Sequence, residues 1–157
     1  MRKRIISAAP KIVRPQDEAW IDVDRAAVVE VTSEEADYSI ESALVSAETR
    51  GWRAAEPGTQ TIRLIFDAPQ RLRRIELVFE EYDTNRTQEF VLRWSADAGR
   101  SFRELVRQRW NFSPPRTVQE VEEYQVDVPD ANVLELIIIP DVSGGTARAS
   151  VKSLRLS

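Results

Sequence analysis

The chain lacks two residue types on which much of enzyme chemistry depends. Its 157 residues include neither cysteine nor histidine. Without cysteine there is no disulfide framework and no thiolate to serve as a nucleophile or metal ligand. Without histidine there is no Ser-His-Asp triad, no Cys-His pair and no HExxH zinc site. These absences exclude the commonest routes to nucleophilic and zinc catalysis.

Long apolar runs and an excess of positive charge are also missing. The basic start, MRKR, resembles the beginning of a signal peptide, but no apolar run of signal length follows it. No stretch approaches the roughly 18 apolar residues that a membrane helix needs. We therefore expect no membrane span and a cytoplasmic location. The net charge of -4 and the pI near 5.1 argue against nucleic acid as a partner.

What the chain does contain is a recurring alternation of apolar and polar residues. This period of two is typical of half-buried strands. The apolar rows that we expect to form the core are Ile62, Leu64 and Phe66, Ile75, Leu77 and Phe79, Phe90, Leu92 and Trp94, and Leu134, Leu136 and Ile138. About eight strands spaced this way, with almost no helix, predict an all-β protein, an antiparallel β-sandwich or jelly roll.

The length predicts one domain. We place the sandwich at residues 29–157 and treat residues 1–28 as an N-terminal extension. Residues 20–23, with the sequence WIDV, are a candidate added strand that would pack on the domain. The sequence does not indicate an oligomeric state.

The connections between the predicted strands fall into two unequal sets. If successive strands reverse direction, the short connections share one end of the sandwich, namely residues 67–71, 95–101 and 129–132. The other end then holds the longer connections, residues 50–59, 80–87, 110–117 and 140–146. Most of the loop aromatic, amide and arginine side chains lie in this longer set. Because loops on a rigid scaffold often carry function, we expect the ligand site at this loop end.

The order of short motifs along the chain resembles the discoidin family, also called the coagulation factor V/VIII type C or galactose-binding-like domain. Gly51-Trp52 precedes an extended strand that ends near Pro69. A hydrophobic strand follows, and then a strand that closes on Ser95-x-Asp97-x-Gly99. The chain departs from the family in the extra residue before that glycine and in having no disulfide.

The resemblance implies a galactose-binding-like β-sandwich that acts as a non-catalytic binding module, with carbohydrate as the leading ligand. Family members bind galactose-type sugars, phospholipid head groups, collagen or other proteins. The alternative is an intracellular protein–protein interaction domain on the same scaffold. An exposed aromatic ring in a concave groove would favour the sugar, and a flat apolar patch of several hundred Å² would favour a protein partner.

The candidate ligand-binding residues combine aromatic faces with hydrogen-bonding groups at the loop end. They are Trp52, Arg53, Asn85, Arg86, Trp110, Asn111 and Asp141. Each has a structural alternative. Trp52 could stack on a sugar ring or plug the mouth of the barrel, and Trp110 could be a ligand platform or a cap on the core.

The polar candidates have similar alternatives. Arg53 and Arg86 could fork onto a ligand carboxylate, phosphate or diol, or could pin the loops through salt bridges to neighbouring acids. Asn85 and Asn111 could bind hydroxyl groups or form turns, and Asp141 could meet a ligand or cap the turn before Gly144. Around Glu48 there are too few oxygen ligands for a calcium site. We predict no catalytic residue, no metal ligand and no cofactor.

Overall fold

The computed structural model describes residues 20–45 and 50–157, and strands dominate both parts. The elements in chain order are α1 (Val23–Ala26), β1 (Ala27–Val31), α2 (Ile40–Leu44), β2 (Trp52–Arg53), β3 (Gln60–Glu80), β4 (Arg86–Ser95), β5 (Arg103–Phe112), β6 (Gln119–Ile139), β7 (Ser150–Val151) and β8 (Ser153–Leu156). All pairings between these strands are antiparallel. The prediction of an antiparallel all-β protein is confirmed.

The strands β3 and β6 are long enough to belong to both layers of the sandwich. The first half of β3 pairs with the second half of β6, for example Ile62 with Leu136, within the strand order β1-β3-β6-β4-β5. The second half of β3 pairs with the first half of β6 and with β8. Five strand segments therefore form one layer and three form the other. The two-stranded sheet β2-β7 lies apart from both.

This arrangement corrects the sequence analysis, which treated residues 67–71 and 129–132 as turns between separate strands. In the structure both segments lie inside continuous strands, β3 and β6. The register of the ladder shifts between Ile65 and Arg74. Such irregularities bend a strand without ending its hydrogen bonding, so the chain passes from one layer to the other there without a separate loop.

The core lies between the two layers. Every residue of the four apolar rows that the sequence predicted is buried, from Leu77 at 0% exposed to Trp94 at 8%. Phe79 of the three-stranded layer and Phe90 of the five-stranded layer meet with ring centroids 5.2 Å apart. That contact shows that the two predicted rows face each other across the sandwich.

The segment before β1 differs from the predicted added strand. Residues 20–22 have no regular structure, and α1 begins at Val23. The segment nevertheless packs on the domain, since the Ile21 N–H donates to the Leu156 carbonyl at 2.7 Å. A single backbone hydrogen bond does not make this segment a strand of the sheet. Residues 1–19, which make up most of the predicted extension, and Glu48 lie outside the described residues.

No helix within residues 20–45 and 50–157 has the length and apolar character needed to cross a membrane.

Candidate functional site at the loop end

The long connections meet at one end of the sandwich. The Glu81 N–H donates to the Val118 carbonyl at 2.8 Å, and the Val142 N–H donates to the Thr87 carbonyl at 2.9 Å. At the opposite end the Ala98 N–H donates to the Asn132 side chain at 2.9 Å. The 80–87, 110–117 and 140–146 connections therefore lie together, away from the 95–101 turn.

A cleft of about 520 Å³ opens at this loop end. One side is formed by Arg50 to Arg53 and Tyr38, and the other by residues 80–84. The segment from Arg148 to Lys152, which includes β7, lines the rest of the cleft. The cleft thus combines segments from three distant parts of the chain, which the sandwich brings together.

Trp52 forms the floor of this cleft and is buried, with 1% of its surface exposed. Its indole N–H donates to the Ser33 carbonyl at 3.0 Å. The preceding Gly51 has a φ of 78°, and a Cβ atom there would come within 2.6 Å of the Val151 carbonyl oxygen. Only glycine allows the two chain segments to approach this closely. The burial of Trp52 favours the alternative in which it plugs the barrel mouth.

Arg53 is held in place from several directions. Its N–H donates to the Tyr38 carbonyl at 3.2 Å, and its carbonyl accepts from the Glu35 N–H at 2.9 Å. Its guanidinium lies over the Tyr38 ring, 4.2 Å from the centroid. The Glu35 carboxylate is 3.7 Å from Arg53 Nη1 and accepts a hydrogen bond from Arg148 Nη1 at 2.7 Å. One turn therefore orients both arginines toward the cleft.

Tyr82 stands on the opposite rim and is 61% exposed. Its hydroxyl donates to the Glu80 carboxylate, and this bond raises the pKa of Tyr82 above its usual value. Glu80 in turn lies 3.6 Å from the Lys152 ammonium. An exposed aromatic ring is thus tethered at the mouth of a cleft lined by charged groups.

Arg86 lies beneath the loops, and its side chain is 0% exposed. It donates to the Glu81 carboxylate at 2.7 Å and to the Pro140 carbonyl at 2.8 Å. Burial alone would raise the pKa of Glu81, but the hydrogen bond from Arg86 and those from nearby backbone amides lower it below its usual value. This placement favours the alternative in which Arg86 pins two loops.

A polar network extends inward from Arg86. Arg86 Nη1 donates to the Gln88 side chain at 3.2 Å, and Gln88 Nε2 donates to Glu120 at 3.2 Å. Glu120 is fully buried, and burial together with the neighbouring Glu122 raises its pKa to about 8. The sequence analysis missed Glu120. The signal was present, because the apolar row that includes Tyr124 extends backward by twos to Glu122 and Glu120.

The remaining candidates lie outside the lining of the cleft. Asn85 and Asn111 are exposed, and Asn111 accepts a hydrogen bond from Thr87 at 2.6 Å. Asp141 accepts from the Ser143 N–H at 3.0 Å and hydroxyl at 2.7 Å, and these bonds lower its pKa as in a turn cap. Trp110 is partly buried against the core.

Among the predicted site residues, the structure therefore brings Trp52 and Arg53 together in the cleft. It adds Tyr38, Tyr82, Arg148 and Lys152, which the sequence analysis did not select. Tyr82 had a usable signal, since it is an aromatic residue in a long polar loop. Within the described part of the chain, no group of three or more acidic side chains could hold a metal ion.

No protein-family model and no curated protein matches the chain. Several solved structures, in contrast, match the chain. A carbohydrate-binding module, CpGH89CBM32-5 from Clostridium perfringens, in complex with GalNAc-β-1,3-galactose, superposes with a TM-score of 0.66 at 18% identity, covering 88% of this chain and 99% of that one.

Two further modules show the same likeness. The family 32 module of C. perfringens NanJ, in complex with galactose, has a TM-score of 0.62 at 14% identity, covering 87% and 96% of the two chains. The CBM32 of AlyQ, in complex with 4,5-unsaturated mannuronic acid, has a TM-score of 0.62 at 13% identity, covering 89% and 98%. The chain therefore has the discoidin-like, galactose-binding-like fold that the resemblance predicted.

Proposed function

We propose that this chain is a non-catalytic carbohydrate-binding module and that the loop-end cleft is its binding site. The observation that carries the proposal is Tyr82. Its ring is 61% exposed, yet its hydroxyl is tethered to Glu80 at the rim of a cleft of about 520 Å³. A fixed aromatic ring beside charged hydrogen-bonding groups is the combination that a sugar requires.

The physical reason lies in the two sides of a sugar ring. The C–H groups on its faces are apolar and pack on an aromatic ring, while its hydroxyl groups need donors and acceptors. Tyr82 offers the face, and Arg53, Arg148 and Lys152 offer donors around it. Because the tether restricts Tyr82 before the ligand arrives, less conformational entropy is lost on binding.

The three solved modules support this proposal through their ligands, which are two galactose-type sugars and an unsaturated mannuronic acid. Their identities with this chain are low, so the ligand is inferred here from the cleft's own chemistry. The fold explains why a site built from loops at one end is available.

The concave site also favours carbohydrate over the alternative of a protein-interaction domain. A flat, contiguous apolar patch of several hundred Å² would instead favour a protein partner. Among the described residues, five large apolar side chains are exposed. They are Val28 on β1, Val45 after α2, Tyr82 and Val142 in two loops, and Val121 on β6.

A glycan array followed by calorimetric titration of each bound glycan tests the proposal. Tyr82→Ala should weaken binding by about tenfold or more, since it removes the stacking face. Tyr82→Phe should keep most of the affinity because the ring remains. Val121→Ala, at an exposed position on the three-stranded layer, is the matched control. Equal affinity of Tyr82→Ala and the parent chain would contradict the proposed site, and an array without any bound glycan would contradict the function.

A further inference from the structure

One wall of the cleft holds two guanidinium groups and one carboxylate. Arg148 Nη1 donates to Glu35 Oε1 at 2.7 Å, while Arg53 Nη1 stands 3.7 Å from Glu35 Oε2, beyond hydrogen-bond distance. Within residues 20–45 and 50–157, Glu35 is the one acidic partner of either arginine. The wall therefore carries a positive charge that the described residues do not balance.

Both guanidinium groups keep donors available at the surface. The Arg53 side chain is 45% exposed and the Arg148 side chain 48%. Each arginine has five N–H donors in a fixed planar arrangement, and the contacts with Glu35 use few of them. Both residues line the cleft, so a ligand can reach the remaining donors.

Arg53 is oriented before any ligand binds. Backbone hydrogen bonds to Tyr38 and from Glu35 fix its main chain, and its guanidinium carbon lies over the Tyr38 ring, 4.2 Å from the centroid. A guanidinium held this way is suited to a planar acceptor that takes two parallel N–H bonds, and a carboxylate has that geometry. The attraction is greater here because a positive charge lies on both arginines.

The other acids of the cleft do not supply the missing charge. Glu80 lies beside Lys152 at 3.6 Å and accepts from Tyr82, and Glu81 pairs with the buried Arg86 at 2.7 Å. The two other charged lining residues, Arg50 and Asp83, carry opposite signs and form no ion pair within the described part of the chain. The cleft thus keeps one positive charge in a chain whose net charge is -4.

We propose that the ligand of this cleft is an acidic sugar, whose carboxylate is bound by Arg53 and Arg148. This inference rests on the proposed carbohydrate-binding function and narrows it to a ligand class. A hexuronic acid or a sialic acid supplies the same carboxylate on a sugar ring. The ring packs on Tyr82, and the carboxylate provides the charge that Glu35 alone does not.

The test compares acidic ligands with the neutral methyl esters of the same compounds. The protein is titrated calorimetrically with galacturonic acid oligosaccharides and with their methyl esters, and in a second arm with sialyllactose and its methyl ester. In at least one arm the acid should bind about tenfold or more tightly than its neutral counterpart at low salt. That preference should fall as the salt concentration rises. The arm that shows the preference identifies the source of the carboxylate.

Variants assign the preference to the two arginines. Arg53→Gln and Arg148→Gln should each reduce the acid's advantage to less than about threefold, because the affinity for the acid falls by more than the affinity for its neutral counterpart. Arg103→Gln, at the opposite end of the sandwich, is the matched control and should keep the full preference. Thermal midpoints of all three variants establish that each one folds.

The failures of the two proposals are distinguishable. If neutral and acidic sugars bind equally well in both arms, sugar binding stands and the acidic class is overturned. If Arg53→Gln weakens both members of a pair by the same factor, Arg53 does not act through charge and the assignment is likewise overturned. If no sugar of any kind binds, the carbohydrate function fails and this inference fails with it.

Discussion

The two ends of the sandwich each hold a cleft of similar size, but their chemistry differs. The volumes are about 520 Å³ at the loop end and about 450 Å³ at the opposite end. The most exposed aromatic residue of the loop-end cleft is Tyr82, at 61%, whereas Trp94, which lines the opposite cleft, is 8% exposed. Cleft size therefore does not distinguish the two ends, whereas the exposure of the aromatic residue does.

The charged groups of the two ends show the same contrast. At the opposite end Asp97 accepts hydrogen bonds from the Ser95 hydroxyl at 2.6 Å and from the Ser101 N–H at 2.8 Å. The 95–101 turn thus provides the hydrogen-bond donors for its own Asp97 carboxylate. At the loop end Arg53 and Arg148 are oriented but keep free donors. Polar groups that form hydrogen bonds within a turn stabilise that turn. Guanidinium groups that are held in position and keep unused N–H donors are available to a ligand.

The largest expected effect that tests this contrast is at Arg86, which joins two loops of the loop end. Arg86→Ala removes a buried cation and the hydrogen bonds that it donates to Glu81 and to the Pro140 carbonyl. Breaking a buried ion pair typically costs about 3–5 kcal/mol, so we expect a loss in the free energy of unfolding of that order. Sugar affinity should fall as well, because the loops lose their positions.

Urea denaturation and calorimetric titration of the same Arg86→Ala sample measure both quantities. Arg86→Lys is the control, since it keeps the charge and loses the fork. A loss below about 1 kcal/mol would mean that the loops do not depend on this residue.

A substitution in the core between the two ends should lower stability without changing affinity. Leu77 is fully buried on β3. Leu77→Ala should lower the free energy of unfolding by about 2–5 kcal/mol, through lost transfer energy and the cavity that remains. Affinity measured on folded protein should stay the same, because Leu77 does not line the cleft. A change in affinity as large as that of Tyr82→Ala would show that the cleft is not an independent unit.

Glu120 should make the loop end sensitive to pH. Its folded pKa of about 8 lies above the ordinary value of 4.5, so its contribution to stability is complete below 4.5 and is lost as the pH rises through 8. Glu120→Gln cannot ionise and should therefore lose less stability than the parent chain between pH 5 and pH 9. Thermal midpoints of the parent chain and of Glu120→Gln across this range provide the measurement. Parallel curves for the two proteins would contradict the predicted role of Glu120.

The smallest effect should come from Asp97 at the opposite end. Hydrogen bonds from Ser101 and Ser95 hold its pKa below the ordinary value of 3.8. Its contribution to stability is therefore present above pH 3.8 and is lost as the pH falls further. Asp97→Asn should lower the thermal midpoint slightly at pH 7, and the difference should shrink toward pH 3. Sugar affinity should not change. A loss of affinity would contradict the proposal that the binding site lies at the loop end.

Side-chain direction in the loops was the weakest part of the sequence analysis. Trp52 and Arg86 were chosen because a ligand favours a stacking face and a guanidinium fork. The same properties suit a buried plug and a loop clamp, which is how the structure uses these two residues. Local sequence does not distinguish these roles, because a loop residue has no periodic partner that marks its inward side.

The sequence by itself determined the fold class and the core. The period of two assigns each strand residue to one face, so Ile62, Leu77 and Phe90 were predictable as buried residues. The absence of cysteine and histidine likewise removed several classes of catalysis from the start. These properties depend on residue type and on spacing within one strand, which the sequence shows directly.

The tertiary structure alone decided how β3 and β6 bend between layers and which residues meet in the cleft. Glu35 and Arg148 are 113 positions apart in the chain, yet they are joined by a hydrogen bond of 2.7 Å. Periodicity assigns a face but says nothing about which distant segment packs against it. The pair forms because β2 pairs with β7, two residues after Arg148, and because the Glu35 N–H donates to the Arg53 carbonyl on β2. Both contacts depend on the packing of the whole sandwich.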